Sequence, residues 1–354
     1  MEIDFNEINY LQDPRWQDLH ASYEHFLLSM TGPTIIDITG LNPNKCRVIT
    51  TLLQGNEPSG LIALHRWLTS RDTNELPKTN LRFIICSVEA ACVRPLLSKA
   101  FIDDSKNINR CFGNNMLDET QLPEHKGYFD RAKLIKNSIT EVKPEVVIDL
   151  HNTASPCPTF AVSSVITTDT ISLTAFFSQT LILSNLRLGS LIEQNFSCPS
   201  ILIECGGRID EQAHEVAYAG ICHIANFEYI DNAQQKSVEI IYLPFRLNVR
   251  ENINLSYAER DEGYSGVTLK KNIDCFNFGG ANQGEMIGWI DGNGLENLQL
   301  LNNHGCNVID DYFYIRENQL VCKQNLRLFK ATSDKESALN DCLFYVVKQM
   351  NNKI

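Results

Sequence analysis

Four polar clusters carry side chains able to do hydrolytic or metal chemistry: Gln54-Gly55-Asn56-Glu57, Asn109-Arg110, Asp149-Leu150-His151-Asn152, and Glu204 within ILIECGG. Imidazole is the commonest protein ligand for zinc, and a neighbouring carboxylate can orient its ring. His151 is therefore a candidate metal ligand, and Glu57 offers a harder oxygen ligand. Glu204 stands among apolar neighbours, where an unpaired charge is costly. A carboxylate kept in such a place suits a proton acceptor in general base catalysis. Arg110 presents a planar donor fork for a carboxylate or a polarised carbonyl, with Asn109 beside it.

Each residue also has a plainer explanation. His151 alone can be a structural hydrogen-bonder, and Glu57 a first-turn helix residue. Glu204 can be the partner of an arginine, and Asn109-Arg110 a loop cap with a surface ion pair. The four share one kind of location, the carboxyl end of an apolar run or the loop that follows it. In open α/β sheets that edge is where ligands bind.

The elements that must position them read as follows. Residues 1–30 predict a helical, partly amphipathic lead-in. TIIDIT (34–39) and RVITTLL (47–53) are β-rich runs separated by the turn signal LNPNK. GLIALHRWLTS has apolar residues at Leu61, Leu64, Trp67 and Leu68, which is helical spacing, and Pro58 suits a first turn. Gln54 to Glu57 thus fall at a strand-to-helix crossing. LRFIICSV (81–88), EVVIDL and PSILIECGG (199–207) predict buried strands; 129–142 and 208–227 predict helices. This alternation predicts an α/β domain with a largely parallel or mixed sheet over residues 1–231. Beyond the polar stretch DNAQQKS come short strand-like runs, so 232–354 reads as a smaller β-rich domain.

Composition narrows the function. The chain has 354 residues, 43% hydrophobic and 21% charged, which excludes wholesale disorder. A net charge of -12 with no basic run argues against nucleic acid as a partner. No long uncharged apolar stretch predicts a membrane span, and the acidic N-terminus does not read as a secretory signal. The twelve scattered cysteines contain no CxxC, so they read as free thiols of a cytoplasmic protein.

Taken in order, QGNEPSG, NINRCFG, VIDLHNT and ILIECGG resemble the four signatures of the succinylglutamate desuccinylase/aspartoacylase family, within the wider zinc carboxypeptidase superfamily. The resemblance covers about residues 45–230 and extends loosely to the β-rich tail, where the family also has a β domain. It implies a carboxypeptidase-like mixed sheet flanked by helices and one catalytic zinc (Zn2+) per chain. It implies hydrolysis of the amide of an N-acyl amino acid or a related small amide. Carried over, Glu57 and His151 would be metal ligands, Glu204 the general base, and Asn109 and Arg110 substrate-binding residues. The oligomeric state, homo-oligomer or not, is left open.

Gln54 departs from the pattern, because the family has its first zinc histidine there. A neutral amide oxygen is a poor zinc ligand beside imidazole. His65, on the predicted helix, reads as a core or surface histidine; His125, in LPEHKG, is a remote substitute. The family's arginine upstream of Asn109 has no clear counterpart; Lys99 and, farther off, Arg94 are cations of that stretch. The loop around Tyr264 is a weak candidate for a lid. The alternative reading is a non-catalytic relative whose degraded metal site binds a small anion or a protein partner. A peptidase of the same superfamily is a third.

Overall fold

The computed structural model describes residues 3–72, 74–102, 106–113, 126–228, 237–302 and 305–349. His125 and most of DNAQQKS lie outside the described residues. The chain divides into two compact units: residues 1–152 with 159–241, and residues 153–158 with 242–354. The expected boundary at 231 differs from this because the strand-like run VEIIY contributes Glu239–Tyr242 to the large sheet of the first unit.

Among the described residues that sheet has nine strands: β1 Asn9–Gln12, β2 Thr34–Ile38, β3 Asn42–Thr51, β4 Thr79–Ile85, β5 Val146–Thr153, β6 Phe160–Ser163, β7 Thr180–Leu183, β8 Ser200–Gly207 and β9 Glu239–Tyr242. Their spatial order is β1-β2-β4-β3-β5-β8-β6-β7-β9. β3 is parallel to both β4 and β5, whereas β2 and β6 run antiparallel to their inner neighbours. The fold is thus mixed α/β, with the parallel strands in the middle. Those central strands are buried on both faces and read as continuous apolar runs for that reason.

Helices α1 Tyr23–Leu28, α2 Ser59–Ser70, α3 Val88–Ala91, α4 Lys126–Thr140, α5 Thr168–Ala175 and α6 Glu211–Asn226 accompany the sheet. One core gathers Leu61, Leu64 and Trp67 of α2, Ala217 and Ile221 of α6, and Ile148, Leu150, Ile201 and Ile203 of the strands. The core on the other face contains Val48, Val147, Ile84 and Ile135. The lead-in is not wholly helical. NYLQ pairs in parallel with β2 as an edge strand, so local propensity yielded there to an available sheet edge. The LNPNK turn is absorbed into β3, with a register shift between Asn42 and Cys46.

The second unit holds two five-stranded sheets packed around Leu247, Leu269, Phe313, Leu328 and Phe344. Tyr264 is exposed there, in a stretch without regular structure. All twelve cysteines are free thiols. No helix among the described residues is long and apolar enough to cross a membrane.

Candidate active site

β3, β5 and β8 deliver the three principal residues to one end of the sheet. β5 and β8 run in the same direction. At one end the Val147 N–H donates to Pro199 O (3.1 Å), and at the other Asn152 Nδ2 donates to Gly206 O (3.0 Å). Glu204 is therefore close to the level of His151. Strand alternation fixes their faces as well. Ile148 and Leu150 share one core with Ile201, Ile203 and Cys205, so Asp149, His151 and Glu204 point to the opposite face. His151 and Glu204 are each 3% exposed.

Glu57 arrives from the crossing between β3 and α2. At the end of β3, Leu52 takes a left-handed backbone (φ 54°), which costs an ordinary residue energy and turns the chain toward QGNE. Gly55 fits against the α3 backbone so closely that a Cβ would stand 2.6 Å from the nitrogen of Ala91. The glycine is thus required by the close approach. This turn ends with Glu57, 7% exposed, beside His151.

The centre is a carboxylate–imidazole–carboxylate row. His151 Nδ1 lies 2.7 Å from Glu57 Oε2, and Nε2 lies 2.8 Å from Asp149 Oδ2. Asp149 is itself held by the Thr50 hydroxyl, which donates to Oδ1 at 2.6 Å. The Asn152 N–H also points to Glu57 Oε2, at 3.3 Å. Burial disfavours an imidazolium at this place, but Asp149 and Glu57 together outweigh it and hold His151 well above its ordinary pKa. Burial likewise pushes the Cys205 thiol up, with Glu204 and Glu57 adding to the effect, so both carboxylates act on one neighbourhood.

Asn109 and Arg110 sit in a short 3-10 turn, Ile108–Arg110. Asn109 is 3% exposed, and its Oδ1 accepts from the Leu191 N–H at 2.9 Å. That oxygen therefore ties two loops together, as the loop-cap explanation requires. Arg110 Nη1 donates to the carbonyl of Asn109 at 2.8 Å. Ile108 and Phe112 belong to the core on the face toward which His151 opens. His65 is a core histidine, its Nε2 3.1 Å from Leu19 O. Separately, a small cleft is lined by Leu53 and Ile108 together with the Glu89–Arg131 ion pair. Gln54, Glu57, Asn109, Arg110, His151 and Glu204 are not among its lining residues.

These residues fit a divalent ion in part. Asp149 occupies Nε2 and so leaves Nδ1 as the ligating atom, with a carboxylate oxygen already facing it. Gln54, half-buried, is the position where the resemblance puts a third strong ligand, and its side chain is an amide. Among the described residues, no group of three or more His, Cys, Asp or Glu is arranged to hold a metal. Asp149 had a readable signal, since residues two apart on a strand share a face; Thr50, which meets Asp149 only through the pairing of β3 with β5, had none.

Residues 47–179 match the family model described as the succinylglutamate desuccinylase/aspartoacylase catalytic domain. No curated protein sequence matches the chain. Among solved structures, the succinylglutamate desuccinylase of Vibrio parahaemolyticus aligns with a TM-score of 0.55 at 14% identity, over 92% of this chain and 94% of that one. The Vibrio cholerae succinylglutamate desuccinylase gives 0.53 at 14% identity, over 93% and 95%. A succinylglutamate desuccinylase/aspartoacylase from Rhodobacter sphaeroides gives 0.51 at 14%, over 83% and 82%. At such identities these likenesses establish the fold.

Proposed function

We propose, from the match of residues 47–179 to the succinylglutamate desuccinylase/aspartoacylase catalytic-domain model, that the protein is a zinc-dependent deacylase that hydrolyses the amide of a small N-acyl amino acid. The observation that carries this reading is the Asp149–His151–Glu57 row, with Glu204 on the same face of the adjacent strand. A divalent ion bound at Glu57 and His151 would polarise the scissile carbonyl.

The chain's own residues supply the rest. Asp149, fixed by Thr50, holds the His151 ring by Nε2. Glu204 takes the proton of the attacking water and passes it to the leaving amine, and two products separate: an amino acid and a carboxylic acid. The Arg110 guanidinium meets a substrate carboxylate by its donor fork. Asn109 contributes its Nδ2, since Oδ1 serves Leu191. A cytoplasmic location and a small-molecule substrate belong to the same proposal.

One feature favours a second reading, a non-catalytic relative that binds a small anion or a protein partner. With Gln54 in place of an imidazole, the donor set is two strong ligands and one weak one. Zinc titration of protein purified without chelator, followed by assays on N-acyl amino acids beside short peptides, separates the readings. The deacylase reading expects about one equivalent of zinc and release of free amine from the acyl compounds alone. Failure to bind zinc, with no hydrolysis after its addition, would leave the second reading. Cleavage of the peptides would point to a peptidase.

A further inference from the structure

Asn152 follows His151 in β5 but faces the other way, toward α2 and α6. It is 2% exposed. Its Oδ1 accepts from the Ser59 N–H at 3.0 Å, and its Nδ2 donates to Ser59 Oγ at 2.7 Å and to Gly206 O at 3.0 Å. The assignment of oxygen and nitrogen in this amide is determined by its partners: a backbone N–H requires an acceptor, and a carbonyl requires a donor. Ser59 Oγ accepts from Asn152 and lies 2.7 Å from His214 Nδ1, within hydrogen-bond distance. Burial lowers the His214 pKa against the opposing pull of Asp210, Glu211 and Glu215.

Three of the four signatures are therefore joined through one amide. Ser59 opens α2 two residues after Glu57; Gly206 lies two residues after Glu204; and Asn152 is the neighbour of His151. The helix cap itself, Pro58, offers no side-chain acceptor for the first turn, so Asn152 caps α2 from another element. The Asn152 backbone N–H in addition points to the carboxylate oxygen of Glu57 that faces His151.

We infer that Asn152, seconded by Ser59 and His214, is a positioning residue that sets Glu57 against His151 and holds the Glu204 strand end level with them. The inference rests on the reading of Glu57, His151 and Glu204 as one site, and goes beyond it by naming what sets their separations. A helix cap with no such role would affect stability and leave the His151 ring as it is.

The test reads the separations directly, in crystal structures of metal-free parent and variants. In the parent, Glu57 Oε2 stands within hydrogen-bond distance of His151 Nδ1, and Asp149 Oδ2 of Nε2. Asn152→Ala is expected to open the Glu57–His151 contact and keep the Asp149 one, and to weaken zinc binding about 10–100-fold, the usual effect of losing an outer-shell partner. Ser59→Ala keeps the backbone N–H and removes the hydroxyl, and serves if the first variant does not fold. It is expected to lengthen the same Glu57–His151 contact. Both contacts unchanged in either folded variant overturns the positioning role while leaving the site itself intact. Absence of both contacts from the parent overturns the reading of the site, and this inference with it.

Discussion

Glu57 Oε2 and His151 Nδ1 stand 2.7 Å apart, although 94 residues separate them in the chain. With Asp149 on the far side, the imidazole is held between two carboxylates in a buried place. Breaking a buried ion pair by removing one member costs far more than its net contribution, because the remaining charge loses its counterpart. His151→Ala should therefore destabilise the metal-free protein by about 3–5 kcal/mol. Chemical denaturation of the parent and the variant checks this; a loss below about 1 kcal/mol, the scale of an exposed pair, would contradict the buried row.

The pH dependence of the same pair has a definite sign. The folded His151 pKa lies above its unfolded value, so the pairing stabilises fully below about pH 6.5, the ordinary histidine value. It is lost as pH rises through the folded-state value. The difference in stability between the parent and His151→Gln should accordingly shrink on going from acid to alkaline pH. Zinc, which needs the deprotonated Nδ1, should bind more tightly over the same rise. Urea midpoints and competitive zinc titrations at several pH values measure the two trends.

Glu204→Gln keeps shape and volume but cannot accept the water's proton. If the deacylase reading holds, turnover should fall about 10²–10⁴-fold, the usual contribution of a general base. Zinc affinity should stay within a few fold, since Glu204 is not among the ligands. A parallel collapse of metal binding would instead make Glu204 a ligand.

Gln54→His restores an imidazole where the family pattern has one. The expected result is tighter zinc binding and, in the deacylase reading, faster hydrolysis. A parent without either property and a variant with both would identify the present chain as the non-catalytic relative.

Gly60→Ala tests how closely α2 must approach the sheet. A Cβ at Gly60 would lie 2.1 Å from Thr51 Oγ1 and 3.1 Å from Leu150 Cβ. Alanine gains about 1 kcal/mol of helix propensity over glycine, but overpacking costs about 1–3 kcal/mol. The clash is expected to win by up to about 2 kcal/mol, and zinc affinity to fall with it, because Glu57 enters from the same turn. Thermal unfolding and zinc titration of one preparation check both.

The central strands were legible because their burial on both faces leaves continuous apolar runs, as in EVVIDL and ILIECGG. α2 was legible from the spacing of Leu61, Leu64 and Trp67. The edge strand NYLQ was not, since its pairing with Thr34–Asp37 is a matter of tertiary opportunity rather than local pattern. The α5 helix, TDTISLTA, was missed for a related reason: its threonines favour no helix interior, and the Thr167 capping box decides the matter. At the site, residue types at the four strand ends were readable, whereas pairings were not. No one-dimensional signal says that Asn109 Oδ1 serves Leu191, or that Ser59 and His214 meet across 155 residues.

The chain passes between its two units at 152/153, 158/159 and 241/242. Residues 153–158 leave the imidazole strand directly and are anchored in the β-rich unit, where Ser155 Oγ lies 2.7 Å from Thr332 Oγ1 and Asn277 Nδ2 donates to Pro156 O at 3.3 Å. The units are for this reason not interchangeable modules. A chimera that exchanged everything after 241 with a relative's tail would set a foreign partner against Ser155, one residue run from His151. A working exchange has to carry the tail and the 153–158 segment together.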